Sequence, residues 1–551
     1  MLAEAEALTY SLLPNLVLLE SLREGRNRRY PEIFVALPQI QIGEGMLGGA
    51  LLASVDVVQA VNQHWWCTVV CRDTLDQRVP VEDLLGQSVE VKTTDLQGVE
   101  HIHFNGTVHR VDLEYEVWGS YAATIVAVSD SYGMDVTAHK QYYADQTLSS
   151  VASTIGGRHG LSISVNASSS KALNYVQYGE TDFSFLHRLA DDYGAWMRPC
   201  EGGLEIFDSF QSGSTLGWRA EYGLIRFRLS GERVNPSFSG AHYDHHVMQS
   251  NNFEQVSKTP QFYSAAARLT SSVQSASQKL PAGFETQRGR AMTLADYNDQ
   301  LEAESERAMG SAVKGFGISR DQTLKAGNDV TLDGELDAKG TYGLIRVEHR
   351  WTPQGYENSF ICTPWKTYRD PQPPVMRRWE GLVPARVVAH NDPKKMGRIR
   401  VRYFWQQEDE THWARFASPH AGPDRGFMFM PEVGDEVAVA FEDGDPERPV
   451  ILGALWNGVQ QAPRYDFRGG DVEVNDVKRI VTKAGNRIQI SDTEGKETVV
   501  LATPNNAWIC LTEKSDDTTR SLISLRCDGD IVLDATGRIH MKSKFFSREI
   551  G

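Results

Sequence analysis

Three histidines and an aspartate lie close together in the segment AHYDHH. These residues are His242, Asp244, His245 and His246. Imidazole and carboxylate groups bind zinc and iron, but such sites need a fixed geometry and usually a further ligand from elsewhere in the chain. No partner motif accompanies this cluster, so we interpret it as a polar loop. His101 and His103 alternate along a predicted strand and are a weaker candidate of the same kind.

A run of acidic residues in FEDGDPER is the second candidate for chemistry. Its carboxylates belong to Glu442, Asp443, Asp445 and Glu447. Two carboxylates can hydrolyse a glycosidic bond when they flank a cleft. Pro446 and Pro449 place this run on a tight turn, and we therefore interpret it as a solvated turn. The sequence also lacks a nucleophile elbow, a phosphate-binding loop and a His-Glu-x-x-His helix, so it predicts no catalytic, cofactor-binding or metal site.

Aromatic and basic residues are interleaved in RIRVRYFW, as on surfaces that bind single-stranded nucleic acid. The aromatic residues are Tyr403, Phe404 and Trp405, and the basic residues are Arg398, Arg400 and Arg402. The net charge of the chain is −16, and an acidic protein repels phosphate backbones. We therefore expect these arginines to pair with acidic groups at a subunit contact, and we predict no nucleic-acid partner.

The elements that position these residues belong to several domains, because 551 residues are too many for one core. Residues 1–30 form an N-terminal segment with an acidic start and Pro14, unlike a secretory signal peptide. Six cysteines do not form a disulfide framework. Cys67 and Cys71 are four residues apart on a predicted strand, where we expect buried thiols and folding in a reducing compartment.

Residues 31–370 combine short alternating strands with two helices. Segments such as SVEVKT and YAATIVAV alternate apolar and polar residues with the period of a strand. The segment from Thr181 to Gly194 changes to a helical period, with Thr181 as N-cap and Gly194 as C-cap. A second helix is predicted from Leu294 to about Val313.

Residues 379–459 contain five predicted short strands, the number in an OB-fold barrel. Ile399, Val401 and Tyr403 alternate with arginines, while residues 427–430 predict a strand that is apolar on both faces. Turns are predicted at Gly434 and at Gly444. Residues 460–477 form a polar linker.

Residues 478–551 contain an eight-residue repeat that begins at Gly529 and again at Gly537. Strands this short cannot build a core alone, but three chains could wind around one axis. The glycines would then form the corners of a β-prism. The predicted trimer core consists of Ile488, Ile490, Ile531, Leu533, Ile539 and Met541.

These segments together resemble the VgrG-type spike proteins of contractile injection systems. The resemblance is carried by GRIRVRYFW, WARFASPHAG and GFMFMPEVGDEVAVAFEDGDPERPVILGALWN, and upstream by FNGTV, YGETDFSFLHRLADDYG and LIRVEHRW. It implies a mainly β chain with a hub of barrel-like α+β lobes, an OB-fold barrel and a C-terminal trimeric intertwined β-prism.

The resemblance also implies partners and a function. We expect a homotrimer without enzymatic activity that sits on a six-fold, Hcp-like inner tube, contacts baseplate proteins and transiently meets a target membrane. A PAAR-type tip protein or an effector would bind at the C-terminal end, where Phe545, Phe546 and Ile550 are possible contacts. The protein would assemble in the cytoplasm without a signal peptide and then be ejected. The alternatives are a phage tail spike with cell-wall hydrolase activity and an OB-fold nucleic-acid-binding protein.

Overall fold

The computed structural model divides into two compact units, Met1–Ala454 and Leu455–Gly551. It describes residues 38–47, 52–72, 83–94, 98–115, 121–167, 172–217, 223–244, 248–258, 261–263, 266–281, 283–286, 294–334, 337–371, 378–406, 411–463, 476–513 and 521–544. The predicted N-terminal segment (residues 1–30), most of the predicted linker (residues 460–477), and Phe545, Phe546 and Ile550 lie outside the described residues. None of the helices in the described ranges is both long enough and apolar enough to cross a membrane.

The largest sheet of the first unit has 13 strands in the described residues. Its strands are Gln39–Ile42, Gly45–Met46, Leu52–Ala60, Trp66–Arg72, Ser88–Thr94, Glu100–Tyr115, Tyr121–Val128, Gln211–Gly217, Leu224–Gly231, Val313–Ser319, Asn328–Asp333, Gly340–Thr352 and Gly355–Thr363. Alternate residues face a shared core, as in the strand where Cys67, Val69 and Cys71 are buried. The expectation of two buried thiols is therefore confirmed, and burial raises the pKa of Cys71 to about 12.

A small α+β lobe packs two helices, Leu148–His159 and Asp182–Asp192, on short strands. The strands are Ala138–Gln146, Ser162–Asn166, Leu173–Thr181, Trp196–Cys200 and Gly203–Phe207. The predicted N-cap of the second helix is confirmed, because Thr181 Oγ1 accepts a hydrogen bond of 3.2 Å from the Ser184 N–H. Gly194 follows that helix with φ of 68°, which a glycine adopts without a steric penalty.

A further layer of the first unit contains the strands Ser237–Asp244, Gln249–Ser257 and Gly283–Thr286. Two helices accompany them, Ala267–Ser277 and Leu294–Ala312. The second of these is the helix predicted from Leu294 to about Val313. Its residues Tyr297, Leu301 and Met309 are buried, so the helix is held by packing rather than by its intrinsic propensity alone.

Five strands close into a barrel, and its inward-facing side chains make its core. The strands are Val383–Ala389, Ile399–Tyr403, His412–Phe416, Glu436–Phe441 and Pro449–Leu455. Ile399, Val401 and Tyr403 are buried as the alternation predicts. The strand predicted at residues 427–430 is wrong: this segment has no strand pairing, and three of its four apolar side chains are exposed.

The second unit contains one antiparallel sheet of five strands in which each strand pairs with the next along the chain. The strands are Val477–Val481, Arg487–Ser491, Thr498–Ala502, Trp508–Thr512 and Leu522–Arg526. We call it the C-terminal sheet. Residues 527–544 contain the two copies of the eight-residue repeat, which we call the octads. They form no strand within the single described chain.

Candidate assembly interface

The structure does not describe the side chains of the histidine-rich segment, so its interpretation as a polar loop stays a prediction. His245 and His246, together with the side chains of His242 and Asp244, lie outside the described residues. In the rest of the described chain, no group of three or more His, Cys, Asp or Glu side chains is placed to hold a metal ion. His103 is buried in the core, where its Nε2 lies 2.7 Å from Thr93 Oγ1. Burial and the neighbouring His349 keep the pKa of His103 well below its usual range.

The acidic run makes ion pairs and hydrogen bonds within the chain, and the interpretation of a solvated turn is wrong for its buried members, Asp445 and the Glu447 side chain. Glu442 pairs with Arg415 and Arg448. Asp445 is 8% exposed and accepts a hydrogen bond of 2.9 Å from the Glu447 N–H. The Glu447 side chain is 3% exposed, because it turns away from solvent toward a helix of the α+β lobe.

Glu447 meets a buried arginine that joins the α+β lobe to the barrel. Arg188 donates to Glu180 Oε1 at 2.7 Å and to the Val176 carbonyl at 3.1 Å, and its Nη1 lies 4.0 Å from Glu447 Oε1. Burial alone would lower the pKa of Arg188, but the carboxylates of Glu180 and Glu447 raise it above its ordinary value. The guanidinium is therefore charged and paired. Through Glu447, the acidic run contacts the α+β lobe and helps to hold the barrel against it.

Aromatic rings complete this joint. Tyr142 packs on His412 with tilted rings and 3.8 Å between ring centroids, and Tyr178 contacts Trp379 and Trp405 edge to face at 4.9 and 5.7 Å. Tyr142, Val176 and Tyr178 share one apolar cluster with the barrel core. The α+β lobe thus plugs one end of the barrel.

The aromatic and basic residues of RIRVRYFW are not arranged as a nucleic-acid surface. Tyr403 is 1% exposed and stacks on Trp405 inside the joint, with 5.3 Å between ring centroids. Arg398 pairs with Asp392 at 2.7 Å within the same chain. Only Phe404 of the three aromatic residues is strongly exposed, at 63%. A stacking platform for bases needs several accessible rings, so the structure favours a packing role for this strand.

Sequence patterns missed one constellation that resembles a hydrolase triad. His64 Nδ1 lies 2.9 Å from Ser131 Oγ, and His64 Nε2 lies 3.5 Å from Asp135 Oδ2. Ser131 is fully buried, and the His64 ring packs on Phe183 at 3.9 Å. A nucleophile must reach its substrate, so this cluster fastens the short helix Asp130–Asp135 to the core. No local motif indicates it, because His64 is far from Ser131 in sequence.

The most unusual surface among the described residues is one face of the C-terminal sheet. Strand alternation places large apolar side chains on this face, and they are 38–70% exposed. They are Ile488, Ile490, Val499, Leu501, Ile509, Leu511, Ile523 and Leu525. We call it the apolar face. The opposite face carries polar residues such as the buried Gln489 together with a small packed cluster of Val500, Ala502, Trp508 and Cys510. In a single chain the apolar face of this sheet is therefore exposed to solvent.

The octads continue this behaviour. Ile531, Leu533, Ile539 and Met541 are 50–70% exposed in the single chain. A Cβ added to Gly529 or Gly537 would meet no atom within 4 Å. The assignment of the six apolar residues to a trimer core and of the two glycines to prism corners therefore stays a prediction, because both depend on neighbouring copies.

Two family models match the chain. The model described as "Phage tail baseplate hub (GPD)" matches residues 60–355, and the model described as "Type VI secretion system/phage-baseplate injector OB domain" matches residues 383–456. The first covers more than half of the chain. The second coincides with the closed barrel and confirms the OB-fold prediction.

Curated relatives include several spike proteins of Pseudomonas aeruginosa. Type VI secretion system spike protein VgrG5 is 32% identical over 164 residues, which are 27% of this chain and 20% of that protein. Type VI secretion system spike protein VgrG1a is 22% identical over 490 residues, which are 78% of this chain and 71% of that protein. The matched part of VgrG5 is thus about a fifth of its length.

Solved structures show the same fold. The E. coli c3393 protein, described as a type VI secretion component similar to T4 tail proteins gp27 and gp5, aligns with a TM-score of 0.52 at 16% identity. That alignment covers 76% of this chain and 99% of c3393. A Francisella PdpA-VgrG complex chain aligns with a TM-score of 0.59 at 8% identity, over 95% of this chain and 92% of that one.

Proposed function

Because the chain belongs to the phage tail baseplate hub family, we propose that it is the homotrimeric central spike of a contractile injection system. Three copies would sit on the inner tube and puncture a target membrane to deliver effectors. The single observation that carries this proposal is the apolar face of the C-terminal sheet, whose eight exposed side chains one chain does not cover.

Burial of this face supplies the free energy for assembly. Full burial of one Leu, Ile or Val side chain contributes about 1.5–3 kcal/mol, and each copy offers eight such residues. The sheet also ends in strands that pair on one side only, Val477–Val481 and Leu522–Arg526. Three copies around one axis would bury the apolar face and pair those edges while closing the assembly.

Stiffness is the property that a puncturing device needs, and the described structure supports it. The barrel is closed, and Tyr142, Val176 and Tyr178 pack into its core. The barrel is therefore held firmly against the α+β lobe. The buried contact of Arg188 with Glu447 spans the same joint. Force applied to the hub would therefore be transmitted to the barrel without a hinge at this joint.

The hub would supply two barrel-like lobes per copy, so that three copies present six positions to a six-fold, Hcp-like inner tube. Baseplate proteins would surround the hub, and a PAAR-type tip protein or an effector would bind at the C-terminal end. The PdpA-VgrG complex supports partner binding by a protein of this fold. The protein would be assembled in the cytoplasm and leave the cell with the machine.

We propose no enzymatic activity for the part of the chain described. The buried Ser131 and the ion-paired Glu442 support a mechanical role, since neither group is free to act on a substrate. Zymography on peptidoglycan tests this point. We expect no clearing, and a cleared band at the position of the purified chain would replace the mechanical function with a hydrolase.

Electron microscopy of the chain mixed with purified inner-tube protein tests the assembly function. We expect tubes that carry one spike at one end, whereas tubes grown alone carry none. A variant with Ile490→Asp, which charges the apolar face, is the matched control and should leave the tube ends bare. Tubes that never carry the unmodified chain would contradict the proposal.

A further inference from the structure

A second exposed apolar surface lies on the barrel, outside the apolar face. Residues 419–429, which we call the arm, are exposed without interruption. The arm ends in three bulky apolar side chains, Phe427, Met428 and Phe429, which are 46, 81 and 52% exposed. Contiguous exposed apolar residues on a soluble protein mark an interaction site.

The arm is a defined projection. Two short strands, Ala421–Gly422 and Arg425–Gly426, pair with each other, and the Phe427 N–H donates to the His420 carbonyl at 2.8 Å. Ser418 Oγ donates to the Phe427 carbonyl at 2.7 Å and anchors the base. These bonds hold the backbone of residues 420–427, while the three apolar side chains remain exposed to solvent.

The arm lies at the end of the barrel opposite the α+β lobe. The strand His412–Phe416 begins at the lobe, where His412 contacts Tyr142, and runs toward the arm that follows it. The strand register supports this direction. Ala414 pairs with Ile399, and Gly397, two residues before Ile399, lies beside Met430, the residue that follows the arm. The lobe that plugs the barrel therefore does not cover the arm.

We propose that the arm packs on the barrel of a second copy of this chain. This inference rests on the proposed homotrimer. The strand Pro449–Leu455 runs parallel to His412–Phe416, so the chain leaves the barrel at the arm end. The C-terminal sheet begins at Val477, and a tether of about twenty residues keeps the barrels of joined copies within a few tens of Å. An arm that meets a different surface on the next copy is a heterologous contact, which closes into a ring under three-fold symmetry.

Charge disfavours the other occupants of this surface. The arm contains one aspartate, Asp424, and one arginine, Arg425, while the whole chain carries a net charge of −16. Nucleic acid and anionic lipid both recruit proteins through clustered basic residues, which the arm lacks. A neutral apolar contact between copies fits the composition of the arm better.

Photo-crosslinking of the full chain tests the inference. Met428 is replaced by benzoylphenylalanine, and the same replacement at Lys339, exposed in the hub, is the control. We expect at least about ten-fold more inter-chain product from position 428 than from position 339, because crosslinking follows the effective concentration of the neighbouring barrel. Mass spectrometry should place the crosslinked peptide within residues 378–455 of the second copy.

Light scattering on the same sample separates the two proposals. A trimeric mass without inter-chain crosslinking at position 428 would overturn the inference and leave the spike function intact. A monomeric mass would overturn both. Labelling of phosphatidylcholine vesicles from position 428, without protein crosslinks, would replace the second copy with a membrane.

A matched pair of variants adds a second readout. In the position-428 background, Phe427→Ser with Phe429→Ser should reduce the inter-chain product at least about ten-fold, because the flanking rings supply most of the apolar contact. Ile225→Ser removes an exposed apolar side chain from the hub and should leave the product unchanged. An equal loss in both variants, or in neither, would contradict the proposed contact.

Discussion

The barrel and the C-terminal sheet are each built from five short strands, but they treat their apolar side chains in opposite ways. In the barrel, Ile399, Val401 and Ile451 are fully buried because the sheet closes on itself and its end is plugged. In the C-terminal sheet, Ile490 and Leu511 remain more than 40% exposed because the sheet is open. The same strand lengths therefore give one domain that buries its apolar side chains within the chain and one sheet that leaves them exposed in the single chain.

This contrast separates folding from assembly along the chain. The hub and barrel bury their cores within one polypeptide, so we expect their stability to be independent of protein concentration. Under the proposed function the C-terminal sheet would gain its largest apolar burial by association, so its stability should rise with concentration. Substitutions in the two regions should therefore have different readouts.

The largest effect is expected from a charge on the apolar face. Ile490→Asp would bury three unpaired carboxylates around one axis, at a cost of about 3–5 kcal/mol for each copy. The trimer should dissociate while the hub and barrel stay folded, as measured by light scattering together with circular dichroism. Ile531→Asp should act in the same direction if the octads line the same axis.

Lys496→Asp is the matched control for this prediction, because Lys496 lies exposed in a turn of the same sheet. It should leave the mass unchanged. An Ile490→Asp variant that stays trimeric with an intact sheet would place the apolar face outside the interface.

The next effect concerns the joint between the α+β lobe and the barrel. Arg188→Ala leaves the buried carboxylates of Glu180 and Glu447 without their cation, which should cost about 3–5 kcal/mol in the free energy of unfolding. Urea denaturation followed by tryptophan fluorescence measures the loss. It should not depend on protein concentration.

Arg268→Ala is the control for the joint, because the Arg268–Asp337 pair is 87% and 80% exposed. Exposed pairs contribute about 0–1 kcal/mol, so this variant should unfold almost as the unmodified chain does. Equal losses from the two variants would mean that the buried pair does not hold the joint.

Acid should weaken the hub and barrel through buried histidines. Burial lowers the pKa of His412 to about 3 and that of His349 to about 3, whereas the pKa of a histidine in the unfolded chain is about 6.5. The neutral ring favours the folded state, so stability is full above pH 6.5 and falls as the pH drops toward 3. Each histidine should cost about 2 kcal/mol at pH 5.

His412→Gln should make the loss of stability between pH 6.5 and pH 5 smaller by that amount, as read from urea midpoints at each pH. His420→Gln, at an exposed position of the arm, is the matched substitution for comparison. The strands of the C-terminal sheet contain no histidine, so this part of the acid response should be confined to the first unit. An unchanged pH profile in His412→Gln would contradict the proposed origin.

The smallest effect is expected at a helix N-terminus of the hub. Thr181→Ala removes the side chain that caps Ser184 N–H and should cost about 1 kcal/mol. Thr181→Ser keeps the capping hydroxyl and should stay close to the unmodified chain in the same denaturation measurement. A loss that is equal in both variants would assign the effect to the methyl group rather than to the cap.

The sequence predicted the parts of the fold that local patterns determine. Alternation of Ile399, Val401 and Tyr403 indicated a buried barrel face, and Thr181 marked a helix start, because both depend on neighbours a few residues away. The resemblance to VgrG-type spike proteins is likewise confirmed, since the family models and the curated spike proteins match the segments that carried it.

Sequence patterns failed where distant segments decide the environment. Glu447 was predicted to be solvated but is buried, because Arg188 arrives from the α+β lobe. Residues 427–430 have the composition of a strand buried on both faces, yet they project from the barrel as part of the exposed arm and its base. An apolar run reports that burial is required, but it does not report which surface provides it.

Light scattering of the purified chain over a range of concentrations tests the central claim most directly. We predict the mass of three chains at high concentration and a single, lower mass only after dilution or after Ile490→Asp. A monomer at every concentration, with a stable C-terminal sheet, would contradict the account.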